Sequence, residues 1–422
     1  MQSARKVAID ALLKVNNSLA YSNITLNNIL KSTDLSQGDK AFASALFYGV
    51  LDRKITLDYV IGSLIKTPLK KVDDFTKEVL RVGLYQIMYM DKVPDSAAVN
   101  EAVKIIKNSK NRHNAGFVNA VLRSSIRAEK LLPDDDSIES LSIRYSCPEW
   151  IVESFINDYS LETAKELLKE TLKSAPVIIR VNTLKTTVEN VIERLKEQGA
   201  SAEIIEKTNA ICIKGGLSIE KSELYKEGLF YVQDLSSQKC AETMSARRGE
   251  RILDMCAAPG GKSFTMALSM ENMGEVVSCD LYEKRTNLIA DGANRLGINI
   301  IKPHTADATV FYENLGEFDA VLCDVPCSGL GIIRRKPDIK YKPVTDFEEL
   351  EKIQAQILDN AAKYLKSGGR ILYSTCTLRK NENEKQIQLF LDKNKDFHLK
   401  YMHTFMPQND NTDGFFVALI SR

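Results

Sequence analysis

The chain has 422 residues, 44% of them hydrophobic and 27% charged, with 57 Lys and Arg against 56 Asp and Glu. This is an ordinary composition for a globular protein of two or three domains. No apolar run is long enough to span a bilayer, and the opening MQSARKVAIDALLKVNN mixes charge into a helical pattern, with no signal-peptide core. Eight cysteines are scattered with no C-x-x-C pair, and His113, His304, His398 and His403 lie far from any cysteine pair. A disulfide framework and a zinc site are therefore not expected. A soluble cytoplasmic protein is expected, with no membrane or metal partner.

Residues 1–130 read as all helix. Phe42, Leu46 and Val50 recur every fourth residue in AFASALFYGVL, and Leu80, Leu84, Ile87 and Met88 do so in FTKEVLRVGLYQIMYM. Val99, Ala102, Val103 and Ile106 form a third stripe, which is core spacing. Asp95 or Ser96, after Pro94, is the expected N-cap of that last helix. The same stretch holds 20 Lys and Arg against 12 Asp and Glu, a net +8, which points to a polyanion partner. In the order of GDKAFASALFYGVL, LRVGLYQIMYMDKVPDSAAVNEAVKIIK and GFVNAVLR, this third of the chain resembles the NusB helical domain. The resemblance implies an RNA- or protein-binding module over 1–135.

Residues 141–245 are mixed. CPEWIVESFINDY, LETAKELLKETLK and TVENVIERLKEQG read as helices, and PVIIRVN, AEIIE, AICIK and LFYVQD as short strands. A small α+β module of ferredoxin or RNA-recognition type fits. It has no row of aromatic residues for stacking bases.

From Glu250 to the end, strands alternate with helices: RILDM, EVVSCD, IIKPHTA, FDAVLCD and RILYST, then a terminal antiparallel strand in GFFVALISR. Alternation of this kind predicts a doubly wound, Rossmann-like parallel sheet over 246–422, with its ligands at the carboxyl ends of the strands. The fold class expected is multi-domain: all-α, then small α+β, then α/β. RILDMCAAPGGKS reads as strand, glycine loop and helix, yet Cys256 stands where a Walker loop needs its first glycine, and G-x-G-x-x-G is absent. Asp280 ends the next strand, where a carboxylate suits a ribose, and Asp307 follows the third strand, within reach of an adenine amino group. The ligand expected is a nucleoside without polyphosphate, of which S-adenosylmethionine is an example. Its candidate contacts are Cys256, Ala257, Ala258, Pro259, Gly260, Gly261, Lys262, Asp280, Arg285, Asp307 and Asp324.

Two cysteines, Cys327 in CDVPCSGLG and Cys376 in YSTCTL, each follow an apolar strand. Cytosine carbon-5 becomes nucleophilic once a thiolate has added to carbon-6, and cysteine suits that attack near neutral pH. Asp324, three residues before Cys327, is placed to act as an acid near the ring nitrogen. A second sulfur would assist elimination. DMCAAPGGK, DVPCSGLG and STCTL resemble the motifs of RNA cytosine-5 methyltransferases, with RVNTLK, YVQDLSSQ, NENE and DGFFVALI in support. With the NusB-like part in front, the whole chain is similar to the RsmB (Sun) family of small-subunit ribosomal RNA methyltransferases. The resemblance implies that Cys376 is the nucleophile, that Cys327 serves product release, and that ribosomal RNA is the partner. The basic run Arg334, Arg335, Lys336, Lys340 and Lys342 would either hold RNA phosphates or form a solvated loop. Competing readings are a methyltransferase of another RNA, DNA or protein, and a non-catalytic RNA-binding or antitermination factor. Protein glutamine methylation favours N-P-P-Y, and DVPC stands in its place.

Overall fold

The computed structural model describes residues 3–17, 22–129, 131–341 and 346–422. The chain divides into two compact units, residues 1–173 with 333–342, and residues 174–332 with 343–422.

The first unit is helical. Its long helices Gln37–Leu64, Asp74–Tyr89, Asp95–Lys107 and Ala115–Arg127 pack with Ala4–Asn17 around one apolar core. The expected stripes supply that core: Leu46, Val50, Leu80, Leu84, Val99 and Ile106 are fully buried. Ser36 and Asp73 cap two of the helices, each accepting the backbone N–H three residues on. The expected cap of Asp95–Lys107 is corrected: Pro94 is the N-cap, without a side-chain bond, and Asp95 begins the helix. As an acid in the first turn, Asp95 complements the helix dipole instead.

Two segments join this unit from further along the chain. Helices Ile138–Tyr145, Glu149–Asp158 and Leu161–Glu170 group with it, although the sequence reading began the α+β module at residue 141. Buried hydrogen bonds explain the grouping: Thr56 Oγ1 donates to the Ile143 carbonyl (2.6 Å) and Ile55 N–H to Ser146 Oγ (3.0 Å). The second segment is the basic run. Pro337–Tyr341 is a 3₁₀ helix in which Lys340 is only 2% exposed. Lys340 Nζ donates to the Asp52 carbonyl at 2.8 Å, and Tyr341 Oη to the Leu51 carbonyl at 2.7 Å. Both expectations for this run fail at Lys340, because its ammonium is spent on a buried backbone oxygen. Lys342 lies outside the described residues.

The second unit holds two sheets. The smaller comprises β1 (Val177–Val181), β2 (Ser201–Ile204), β3 (Ala210–Gly215) and β4 (Phe230–Val232) in the order β2-β3-β1-β4, with every pairing antiparallel. With a helix at Val188–Glu197 between β1 and β2, this is the ferredoxin-like pattern. The aromatic residues of its strands, Phe230 and Tyr231, are buried, so no ring is offered for stacking.

The larger sheet comprises β5 (Arg251–Asp254), β6 (Glu275–Asp280), β7 (Ile301–Thr305), β8 (Phe318–Asp324), β9 (Leu365–Thr375), β10 (His398–Phe405) and β11 (Phe415–Ser421). Their order is β10-β11-β9-β8-β5-β6-β7, with β5 to β9 parallel and β11 antiparallel to β9 and β10. The strands are apolar on both faces because helices cover both. Ile252, Val276, Ala320 and Leu372 face helix Gly261–Ser269, while Leu253, Val277, Val321 and Ile371 face helix Phe347–Lys363. Each such buried aliphatic side chain contributes roughly 1.5–3 kcal/mol. The strand at β10 was not foreseen: its HLKYMHTF is an exposed edge, without the apolar run of its neighbours. The chain reverses its direction of travel across the sheet between β5 and β8, which opens a crevice at their carboxyl ends.

Candidate active site

Strand register explains how distant cysteines meet. In the parallel pair β8–β9, Asp324 lies opposite Ser374. Cys327 is three residues past the first and Cys376 two past the second, so both leave the sheet side by side. Their sulfurs are 3.2 Å apart, and both residues are half-buried. The loops are also joined through backbone: Gly331 N–H donates to the Cys376 carbonyl (3.0 Å), and Gly414 N–H to the Gly331 carbonyl (2.9 Å). A Cβ at Gly331 would lie 2.0 Å from that Gly414 link, so the approach requires glycine.

Pairing with Cys376, then burial, pushes the Cys327 thiol well above the ordinary thiol range. Cys327 is thus held towards its protonated form, and either sulfur can be the donor in the contact between them. Cys256, Cys279 and Cys323 are also raised, chiefly by burial. Cys256 thus sits in the glycine loop as a protonated thiol.

Acidic groups line the strand ends. Asp324 accepts from Lys262 Nζ (2.6 Å) and from Ser374 Oγ (2.8 Å). Burial works against the Lys262 charge, but Asp324 beside it prevails and its pKa rises. The ammonium also sits 4.8 Å from the centre of the Phe415 ring, so it is held on two sides. Asp254, fully buried at the end of β5, accepts from Ser263 Oγ (2.6 Å), while its other oxygen is buried without a partner. Burial pushes Asp254 up to about 7, and the Asp324 charge adds to it against the Ser263 bond.

The expected cofactor loop runs Cys256, Ala257, Ala258, Pro259, Gly260, Gly261 and Lys262, from the end of β5 into helix Gly261–Ser269. Gly260 has φ +108°, a region closed to most side chains, and a Cβ there would strike the Phe264 ring. The loop is tied to the next strand by Arg285, which donates to the Ala258 carbonyl (3.0 Å) and pairs with Asp280 (3.1 Å). Asp280 is buried at the end of β6. Asp307, after β7, accepts from the backbone N–H and hydroxyl of Thr309 at 2.9 and 2.7 Å. Among the described residues, no group of three His, Cys, Asp or Glu is placed to hold a metal ion.

Sequence reasoning missed a second tier of residues. Glu382, fully buried in NENE, accepts from Ser328 N–H (2.9 Å), Ser328 Oγ (2.5 Å), Gln354 Nε2 (2.9 Å) and Arg379 (3.2 Å). Asn383 accepts from Thr375 Oγ1 and donates to the Thr377 carbonyl, at 2.6 and 3.0 Å. The available signal was an acid and an amide within seven residues of Cys376, on the loop that follows it.

Comparison with known proteins agrees with this architecture. Residues 241–421 match the 16S rRNA methyltransferase RsmB/F model, 2–127 the NusB family, and 147–220 an RsmF/B-like ferredoxin-like domain. The chain is 38% identical to a probable ribosomal RNA small subunit methyltransferase B of Bacillus subtilis, over 94% of this chain and 89% of that one. It is 32% identical to ribosomal RNA small subunit methyltransferase B of Proteus mirabilis, over 99% and 98%. The crystal structure of PH0851 superposes with a TM-score of 0.84 at 26% identity, over 99% of this chain and 98% of that one. A methyltransferase homologue from Pyrococcus horikoshii does so with a TM-score of 0.61 at 27% identity, over 68% of this chain and all of its own. By full-length similarity to these relatives, the chain belongs to the RsmB/F family of S-adenosylmethionine-dependent 16S rRNA methyltransferases.

Proposed function

We propose that this protein methylates carbon-5 of a cytosine in small-subunit ribosomal RNA through a covalent adduct with Cys376. The observation that carries the reading is the thiol pair, 3.2 Å apart at the carboxyl ends of β8 and β9. A methyltransferase of exocyclic nitrogen or ribose oxygen has no use for two facing sulfurs. Cytosine carbon-5 does, because one sulfur must add and later leave.

The residues present fit the cofactor. Asp280 is set to take the ribose hydroxyls and Asp307 the adenine, while the glycine loop brings backbone close to the remainder. Arg285 holds loop and carboxylate together. S-adenosylmethionine supplies an electrophilic methyl group on a sulfonium. In the reading, Cys376 Sγ bonds to carbon-6 and the ring electrons move towards carbon-5 and nitrogen-3. Asp324, fixed by Lys262 and Ser374, is the acidic group proposed to stand beside nitrogen-3, and Lys262, its ion-pair partner, is the proton-bearing group next to it. After carbon-5 has gained the methyl, a base, water or a side chain of the site, must take its hydrogen as a proton. The electrons of that bond re-form the 5,6 double bond, and the carbon–sulfur pair leaves with Cys376 as its thiolate. Cys327 keeps its proton beside Cys376 and so is suited to assist the departing thiolate.

By role, the chain divides into an RNA-gripping helical part (1–135), an α+β linker part (141–245), whose leading helices Glu149–Asp158 and Leu161–Glu170 group with the helical unit, and a catalytic part (246–422). The grip has a specific candidate surface. Asn114 Nδ2 donates to Asp73 at 3.0 Å, and Asn111 donates to the same carboxylate. This joint brings together the segments that carry the exposed cations Lys70, Lys71, Lys110 and Arg112. Such a cluster suits phosphates and carries no base preference of its own. A ribosomal substrate would place the work in the cytoplasm. Bisulfite sequencing of 16S rRNA from a deletion strain, with and without the plasmid-borne gene, tests the reading. One cytosine should lose its protection and regain it. An unchanged pattern refutes the assignment.

A further inference from the structure

We propose that Glu382 is a positioning residue for both cysteine loops, acting through Ser328 and Arg379 to hold Cys327 against Cys376. The inference rests on the cysteine-adduct reading above and extends it to a residue that touches neither substrate nor cofactor.

Three elements converge on one buried carboxylate. Ser328, next to Cys327, gives it both its backbone N–H and its hydroxyl. Gln354, on helix Phe347–Lys363, donates to it and also to the Pro326 carbonyl at 2.9 Å, so Cys327 is bracketed on either side. Arg379, three residues past Cys376, donates to it from the other loop. The hydroxyls of Ser328 and Thr377 meet at 2.7 Å, which links the residues that directly follow the two cysteines. Tyr373 Oη donates to the Glu382 backbone carbonyl (2.7 Å) and fixes where the carboxylate sits.

Four donors on two oxygens suit only an ionised carboxylate. A glutamine would present an N–H₂ to groups that are themselves donors. A fully buried acid that serves packing alone would be costly to retain, whereas this one makes a bond on each side of the reacting pair. The charges around the loops are Glu382 and Glu351, which Arg379 bridges, and the Lys262–Asp324 pair. Tyr373 stays neutral, because burial raises it well above its ordinary range. Glu382 also adds to the forces that keep Cys327 protonated.

The test uses the full-length chain with Glu382→Gln, and Ser328→Ala as a milder variant. Three quantities are read: cofactor affinity, turnover on RNA, and the pH dependence of Cys327 alkylation by iodoacetamide, followed on its peptide by mass spectrometry. Glu382→Gln should leave cofactor affinity within twofold and lower kcat on the order of ten- to a hundredfold, the scale of a small misplacement of reacting groups. Its Cys327 alkylation curve should move to lower pH, since a negative charge has gone. Ser328→Ala should lower kcat less, with the alkylation curve unmoved. Unchanged kcat and alkylation in a folded Glu382→Gln protein overturn the proposal. So does a fall in kcat matched by lost cofactor affinity, which marks general damage. If Glu382→Gln fails to fold, Ser328→Ala decides by itself, and wild-type kcat there overturns the proposal. Because alkylation needs no RNA, the Glu382 role fails separately from the cytosine reading.

Discussion

Asp254→Asn is a perturbation whose size follows from the structure. The Asp254 carboxyl is wholly buried, keeps one oxygen without a partner, and has its pKa raised from 3.8 to about 7. In the unfolded chain it ionises near 4; in the folded chain it holds its proton through that range. Between those values the folded state binds more protons, so stability declines as pH rises from about 4 to about 7 and levels off above. A gap of about three units at 1.36 kcal/mol each sets a ceiling of about 4 kcal/mol on that decline. Asparagine cannot ionise, so the variant lacks this component while every other titration cancels in the comparison. Urea midpoints by pulse proteolysis, read on fragments of the second unit at pH 5, 6, 7 and 8, give the difference curve. The variant should gain on the wild type with each step to pH 7 and then hold. Parallel curves, or a wild type that gains on the variant, refute the account of Asp254 as a protonated buried acid.

Cys376→Ala should abolish methylation and leave cofactor affinity intact. Cys327→Ala should trap a protein–RNA adduct that survives denaturing gels and vanishes in the double variant; the opposite pattern would exchange the two roles. Asp280→Ala should weaken S-adenosylmethionine binding by about 2–3 kcal/mol, the worth of hydrogen bonds to a charged group, as measured by calorimetry. Lys340→Met should lower the stability of the helical unit by about 1–3 kcal/mol through loss of the charge-assisted bond to the Asp52 carbonyl. The salt dependence of its RNA affinity should stay as in the wild type, and a slope shallower by about one would return Lys340 to the phosphate contacts. Replacing Lys70, Lys71, Lys110 and Arg112 with Gln should make that slope shallower by several units in filter-binding assays.

Much of this site was legible because its chemistry follows strand ends. Asp280, Cys327 and Cys376 could be placed at the carboxyl edge from apolar runs alone, and the alternation of strands with helices from Glu250 onward pointed to the doubly wound sheet. Three kinds of information were hidden. Register is one: nothing in the local sequence says that Asp324 lies opposite Ser374. Long-range polar pairing is another, since Glu382 reads as a surface acid in NENE until four donors are seen around it. Edge strands are the third, because β10 alternates too weakly to announce itself. Lys340 misled for a related reason. A cation among cations reads as a surface group, and only the Asp52 carbonyl reveals it as interior.

The return of Pro337–Tyr341 to the helical unit has a bearing on synthesis. Asp52 and Lys340 are 288 residues apart in sequence. A ribosome adding roughly 5–20 residues per second would take on the order of 15–60 s to make that stretch. Until then the Leu51 and Asp52 carbonyls, inside helix Gln37–Leu64, lack the side-chain donors Tyr341 and Lys340. The helical unit therefore cannot be finished as an independent N-terminal product, and its last piece is delivered only after β5 to β8 have been made.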